Sequence, residues 1–346
     1  MTGTVRTRLP PPRIPPGTDL IPESGAEETG NPVSSAIYRR VPFPGSGTER
    51  REVTMNKNRI YPTYFVFGAL LLYVVLYVLP SVMGLGYSFT DWSVYSREIR
   101  FVGWKNFATV FSSDYNYTRI LGNTFRFTIV TTLAKNVIGL ALAVLLTKKV
   151  KLLNFHRAVM YLPCVLSALI VGMIFKSVLN PKIGLLNTFL RRVGLGFLAQ
   201  NWLTDSKIAF RSVMAVDIWK GMGYIMTILI AGIMSIPPTY YEAASIDGGN
   251  AWQCFRHITL PLLAPTLTVT TVLNVIYGLK VFDTVYSLTN GGPGFATEVL
   301  YTGVYKEFGL GRYAVGTTLS TIITVIMLVA GFFMIKHMVK GDGQEI

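Results

Sequence analysis

Charge is scarce in this sequence, cysteine and histidine are scarcer, and no phosphate-cradling glycine loop followed by Lys and Ser or Thr occurs in it. Asp, Glu, Lys and Arg make up 14% of 346 residues, against 51% hydrophobic residues and a mean hydropathy of +0.43. A soluble core cannot hide that much apolar surface, so the chain belongs in a bilayer. The two cysteines, Cys164 inside an apolar run and Cys254 in a polar loop, exclude a disulfide framework, and neither has metal-ligand spacing or a catalytic partner. His156, His257 and His337 stand at loop or span ends, with no carboxylate cluster beside them to suggest a membrane-embedded enzyme or a metal site. Without the glycine loop the chain has no nucleotide site of its own. Apolar and polar residues do not alternate as they would along the strands of a membrane barrel.

The formal charge of +14 comes from 32 Lys and Arg against 18 Asp and Glu. These cations fall in short clusters between long apolar runs, the pattern of loops flanking membrane spans rather than of a nucleic-acid surface. Residues 1–54 hold half of the 18 prolines and no apolar run, the composition of a disordered tail, and they lack the apolar core and cleavage site of a signal peptide. Arg50-Arg51 can be encoded as a ribosome-binding site ahead of Met55, so a start at Met55, with 1–54 outside the natural protein, is the expectation.

A membrane-crossing helix needs about 20 mainly apolar residues. Six segments within 55–346 qualify: 60–90, 125–147, 158–175, 212–236, 258–279 and 313–335. The fold class is therefore an all-α polytopic membrane protein of six transmembrane helices, with both termini on one side. The basic loop Lys148, Lys149, Lys151 and Arg157, with Lys57 and Arg59, puts those termini in the cytoplasm; Lys182, Arg191, Arg192 and Lys207 in another loop weaken that bias.

Charges inside spans are costly and mark functional sites by default. Here they are Lys135, Asp217 and Lys220, with Lys280 and Asp283 at the end of the fifth span. Asp217 and Lys220 are three apart on one helix face, as are Lys280 and Asp283. Neutralisation within each local pair and orientation toward a polar path are the two readings of that spacing.

Between the fourth and fifth spans stands Glu242-Ala243-Ala244, then three residues to Gly248, then nine to Ile258-Thr259-Leu260-Pro261. Paired alanines allow a partner's surface to approach, Glu242 offers a carboxylate to a partner's cation, Gly248 permits a sharp turn, and Pro261 suits the first turn of the next span. As a tripeptide Glu-Ala-Ala is only good helix composition; the complete spaced pattern resembles the signature loop of the permease subunits of bacterial ABC importers. A second stretch, Phe282-Asp283-Thr284 through Asn290-Gly291-Gly292-Pro293-Gly294 and Ala296-Thr297-Glu298, is similar to the region after span five in carbohydrate permeases of the maltose, lactose and glycerol-phosphate type. Tyr161-Leu162-Pro163 through Asn180-Pro181 and Gly184 to Asn187 matches the same group, with Phe175 where a Trp is frequent.

The resemblance implies a type I ABC importer transmembrane domain. Its cytoplasmic coupling loop, about 238–259, would carry two short helices that dock Glu242, Ala243, Ala244, Asp247 and Gly248 on a separate ATPase dimer, which holds ATP and Mg; this chain holds no cofactor. The other implied partners are a second permease subunit, an extracytoplasmic solute-binding protein and a sugar substrate, in a bacterial cytoplasmic membrane with both termini inside. Matching the motifs onto the maltose permease puts Lys220, Gly221 and Tyr224, anchored by Trp219, on one wall of a sugar path, with Tyr277, Gly278 and Val281 on the other. Asp217 and Lys280 join them as charges near the path, and an oligosaccharide is the implied cargo. Its lysines leave an acidic sugar, or a glycerol-phosphate-like solute, as alternatives. An ion-coupled secondary transporter is the competing function; it calls for inverted internal repeats, which the sequence does not display.

Overall fold

The computed structural model describes residues 63–112, 116–148 and 151–342; the expectations for residues 1–54 and for a start at Met55 lie outside the described residues. Among those residues regular structure is helical, beside one isolated antiparallel bridge between Thr90 and Phe101. The apolar run after Tyr61 forms α1 (Thr63–Tyr73), which passes through a π-helical turn at Val74–Val78 into α2 (Leu79–Tyr87). α3 (Lys105–Phe111) is short, and α4 (Tyr117–Leu145) is a long span. α5 (Leu153–Val165) and α6 (Ala168–Val178) follow, then α7 (Leu185–Arg192) and the long α8 (Ala209–Met234). Two short helices, α9 (Thr239–Ile246) and α10 (Ala251–Cys254), lead through a π turn at Phe255–Thr259 into α11 (Leu260–Leu262) and α12 (Ala264–Leu279). α13 (Asp283–Thr289), α14 (Leu300–Gly309) and α15 (Tyr313–Asp342) complete the chain.

Four segments are each long and apolar enough to cross a bilayer: Val66–Tyr87, Tyr117–Leu145, Ala209–Met234 and Tyr313–Met334. Two more crossings arise if each bent pair counts as one, α5 with α6 at 96° and the Ala251–Leu262 segment with α12 at 64°. The third span, expected over 158–175, is thus a broken one, running through α5 and α6. Pro163 removes a backbone donor inside α5, and Leu166 and Ser167 then take extended conformations at ψ 139° and 138°. The second span starts at Tyr117 rather than Phe125, because Tyr117 is buried and its hydroxyl donates to Glu307 Oε1 at 2.9 Å.

α4 and α8 form the central pair, with α12 along α4 and α5 along α8. Polar residues sit on α4 at little cost because Thr124, Thr128 and Thr131 each donate to the carbonyl four residues back. Two apolar clusters grip the central pair. One joins Phe127 of α4 to Val213 and Val216 of α8 and to Val281 and Val285; the other joins Ala143 to Ile225, Met226 and Leu229. Lys135 and Asp217 fall between them.

The first span is different. None of its side chains from Val66 to Tyr87 is buried within this chain. α2 packs on α15, and the ends of the chain are tied where Val94 N donates to Gly311 O, Ala314 N to Trp92 O and Thr318 Oγ1 to Ser88 O.

The Asn290–Glu298 loop is pinned to α4 by one side chain. Asn123 Nδ2 donates to the carbonyls of Phe295, Ala296 and Glu298 at 3.4, 3.3 and 2.9 Å. Thr297, fully buried, bonds Gly292 O and the Thr289 hydroxyl. Replacing Asn123 with Ala is expected to raise deuterium uptake in peptides covering 291–299 while α4 and α8 stay protected; unchanged uptake in that loop would show that Asn123 does not hold it.

Candidate functional site

α8, α4 and α12 enclose a cavity of about 270 Å³ lined by Lys135, Cys164, Asp217, Lys220, Gly221, Tyr224, Ile225, Leu273, Asn274 and Tyr277. Asp217, Lys220, Gly221 and Tyr224 reach it because positions separated by three, four and seven share one face of α8. Tyr277 and Asn274 come from one face of α12, and Lys135 from the facing side of α4.

Inside the wall stands an ion pair. Lys135 Nζ lies 2.6 Å from Asp217 Oδ2, and the two side chains are 3% and 1% exposed. Tyr277 Oη donates to Asp217 Oδ1 at 2.6 Å, and Thr284 Oγ1 donates to the same oxygen at 3.3 Å. Lys135 Nζ also sits 4.3 Å from the centre of the Tyr277 ring. Gly221 provides the room: a Cβ there would meet Lys135 Cε at 2.7 Å. One polar layer further, Asn136 Nδ2 donates to Thr271 Oγ1 at 3.0 Å, tying α4 to α12 again.

These contacts correct part of the sequence reading. Asp217 is neutralised by Lys135 on another span, not by Lys220 on its own, and Lys280 and Asp283 form no ion pair among the described residues. A local pair loses here because Asp217 faces inward with its carboxylate filled from α4. Val281 is 2% exposed in the apolar cluster with Phe127 and Val285, and Lys280 is exposed away from the cavity, so neither lines it. Asn274, Cys164 and Thr284 are in the site or behind it without having been singled out. Asn274 and Tyr277, three apart on α12, carried the only hint, a shared helix face.

The Glu242 segment folds as two exposed short helices around a turn. Glu242, Ala243 and Asp247 are exposed on or just after α9, Ala244 is half-buried, and Gly248 has φ +76°, the left-handed region that favours glycine. Asn250 and Gln253 cap α10 reciprocally, each side chain bonding the other's backbone N–H at 2.9 and 2.8 Å. Ile246 is 87% exposed and Trp252 66%, apolar side chains with nothing against them in this chain. α8 ends five residues before α9, so at 1.5 Å per residue the cavity residue Gly221 lies about 20 Å along the helix from this loop. Beyond the spans, burial pushes the Glu298 carboxyl above its ordinary range while its contact with Lys306, 3.0 Å away, pulls the other way.

A buried charge left alone is expensive. Asp217→Asn is expected to cost about 3–5 kcal/mol by stranding the Lys135 ammonium, read as a lower thermal-aggregation midpoint in detergent. Lys135→Met combined with Asp217→Val removes both charges and is expected to keep most of the original midpoint. A double variant as unstable as the single one would show that the unpaired charge is not the cause.

Residues 135–340 match the family described as binding-protein-dependent transport system inner membrane component. The chain is 34% identical over 79% of its length to the probable starch degradation products transport system permease protein of Thermoanaerobacterium thermosulfurigenes, covering 92% of that protein. It is 32% identical over 77% of its length to the trehalose/maltose transport system permease protein of Thermococcus litoralis, covering 89% of it. Among solved structures it is similar to a chain of a bacterial ABC transporter involved in the import of the acidic polysaccharide alginate. That match has a TM-score of 0.71 and 25% identity over 82% of this chain and 98% of the other. The alginate transporter in complex with an alginate pentasaccharide-bound periplasmic protein matches at TM-score 0.69 and 26% identity, over 80% of this chain and 94% of that one.

Proposed function

The chain belongs to the family of binding-protein-dependent transport system inner membrane components, and from that premise we propose that it forms half of the translocation path of an ATP-driven oligosaccharide importer. The observation that carries the reading is the spaced pattern from Glu242-Ala243-Ala244 through Gly248 to Pro261 on two exposed helices, joined directly to α8 and through α11 to α12, the helices that wall the cavity. Transport names on several relatives, covering starch products and trehalose/maltose, support a saccharide cargo.

In this reading the coupling loop, about 238–259, docks on an ATPase dimer carried by separate subunits. Glu242 meets a cation there, Ala243 and Ala244 allow close approach, and Asp247 and Gly248 shape the turn. The exposed Ile246 and Trp252 add an apolar contact of the kind that anchors interfaces. ATP and Mg belong to the ATPase. A second permease closes the other half of the path, and a solute-binding protein delivers the sugar from outside, as the complex with a periplasmic protein suggests for the alginate transporter. The loop faces the cytoplasm, and six crossings put both termini there.

Tyr224 and Tyr277, 42% and 43% exposed, offer aromatic faces to the C–H surfaces of a sugar, while Lys220 and Asn274 reach its hydroxyls. An acidic saccharide is the second reading. It is favoured by Lys220, which has no carboxylate partner among the described residues, and by the likeness to the alginate transporter.

Two experiments in proteoliposomes holding the whole importer test these assignments. Glu242→Lys is expected to lower uptake on the order of tenfold while the permease still assembles, because it sets like charge against the ATPase cation; ATP-driven uptake at the original rate would remove the coupling role. Tyr224→Ala and Tyr277→Ala are each expected to weaken uptake roughly twofold to tenfold through lost stacking, and original uptake in both would displace the path from this cavity.

A further inference from the structure

The charged residues of the cavity wall are not equivalent. Asp217 is 1% exposed; Lys135 Nζ lies 2.6 Å from Oδ2, and Oδ1 accepts from the hydroxyls of Tyr277 and Thr284. Lys135, 3% exposed, is directed at that carboxylate and at the underside of the Tyr277 ring, with its stem against Gly221. Both groups stand in the cavity wall with their side chains almost fully covered within this chain. Tyr277 differs: its hydroxyl is held inside the wall, while the residue lines the cavity and is 43% exposed in this chain.

We propose that Lys135 and Asp217 are positioning residues that hold the Tyr277 ring from α4 and α8, so that the ring, and not the ion pair, is the surface a ligand meets. Asp217 acts through the Tyr277 hydroxyl. Lys135 acts through Asp217: it neutralises the carboxylate that holds the phenol, in an apolar setting where an unpaired charge is costly. Thr284, at the start of α13, completes the cradle, so four helices converge on one phenol. Lys220, half-buried and outside this network, is left as the charged side chain that a ligand can reach. The assignment rests on the cavity being part of the sugar path, yet the geometry behind it can be tested without any sugar.

Cys164 lines the same cavity and becomes the sole thiol once Cys254 is replaced by Ser. The rate at which methyl methanethiosulfonate, a small neutral reagent, modifies Cys164 in the full-length Cys254→Ser protein reports where the Tyr277 ring lies. Tyr277→Phe keeps the ring and deletes its tether, and is expected to change that rate by roughly twofold to tenfold, the range of one lost hydrogen bond. Lys135→Met with Asp217→Val, a charge-neutral change that removes the acceptor, is expected to give the same factor. Lys135→Met with Asp217→Asn keeps a carbonyl acceptor for the Tyr277 hydroxyl and is expected to restore the parent rate. Adding Tyr277→Phe to the Val pair is expected to have no further effect, because both act on one contact.

An unchanged rate in Tyr277→Phe, equal rates in the Val and Asn pairs, or factors that multiply in the combined variant would each overturn the proposal. Should the Val pair fail to fold, Tyr277→Phe against its parent decides alone. Normal uptake by Tyr277→Ala would be a failure of the sugar path and would leave the thiol result standing.

Discussion

A charge at the centre of an apolar bundle must be neutralised, and the architecture of this protein is arranged around one such neutralisation, Lys135 with Asp217. The two residues are 82 positions apart in the chain and meet at 2.6 Å on neighbouring spans. Above and below them on α4 and α8 lie separate apolar clusters, so the helix pair reads as grease, charge, grease. The apolar layers seal the helices together. The polar layer between them lines the cavity.

The same layer orders other elements. α12 approaches α4 with Asn136 bonded to Thr271, and α13 brings Thr284 to the carboxylate. Both lie immediately downstream of the exposed Glu242 loop in sequence, and α8 lies immediately upstream of it. The connections from the loop to both walls are short: four residues, 235–238, to α8 on one side, and the π turn with α11 on the other.

Much of this was legible in the sequence. Apolar runs located the spans, since continuous apolar stretches cross a bilayer as helices, and the spaced pattern around Glu242 located the loop through its resemblance to the permease signature. On α8, Lys220, Gly221 and Tyr224 were named by the resemblance, while periodicity put only Asp217 and Lys220 on one face. Pairing across spans did not follow. Asp217 has Lys220 three residues away, and nothing in a linear chain announces that Lys135 arrives first from another helix. Val281 was assigned to the path by motif position, yet the turn after Leu279 rotates it into the apolar cluster. The break at Leu166–Ser167 was hidden because the run stays apolar on both sides of it while those two residues leave the helical conformation. Local chemistry is written in order along the chain; the choice among competing long-range partners is made only when the helices pack.

The exposed first span carries a consequence for how the molecule is made. α2 finds its neighbour in α15, and Ser88 and Trp92 accept from Thr318 and Ala314 while Val94 donates to Gly311. Among the described helices, the first span therefore depends on the one farthest from it along the chain, and a chain interrupted before Gly311 would lack every one of these contacts.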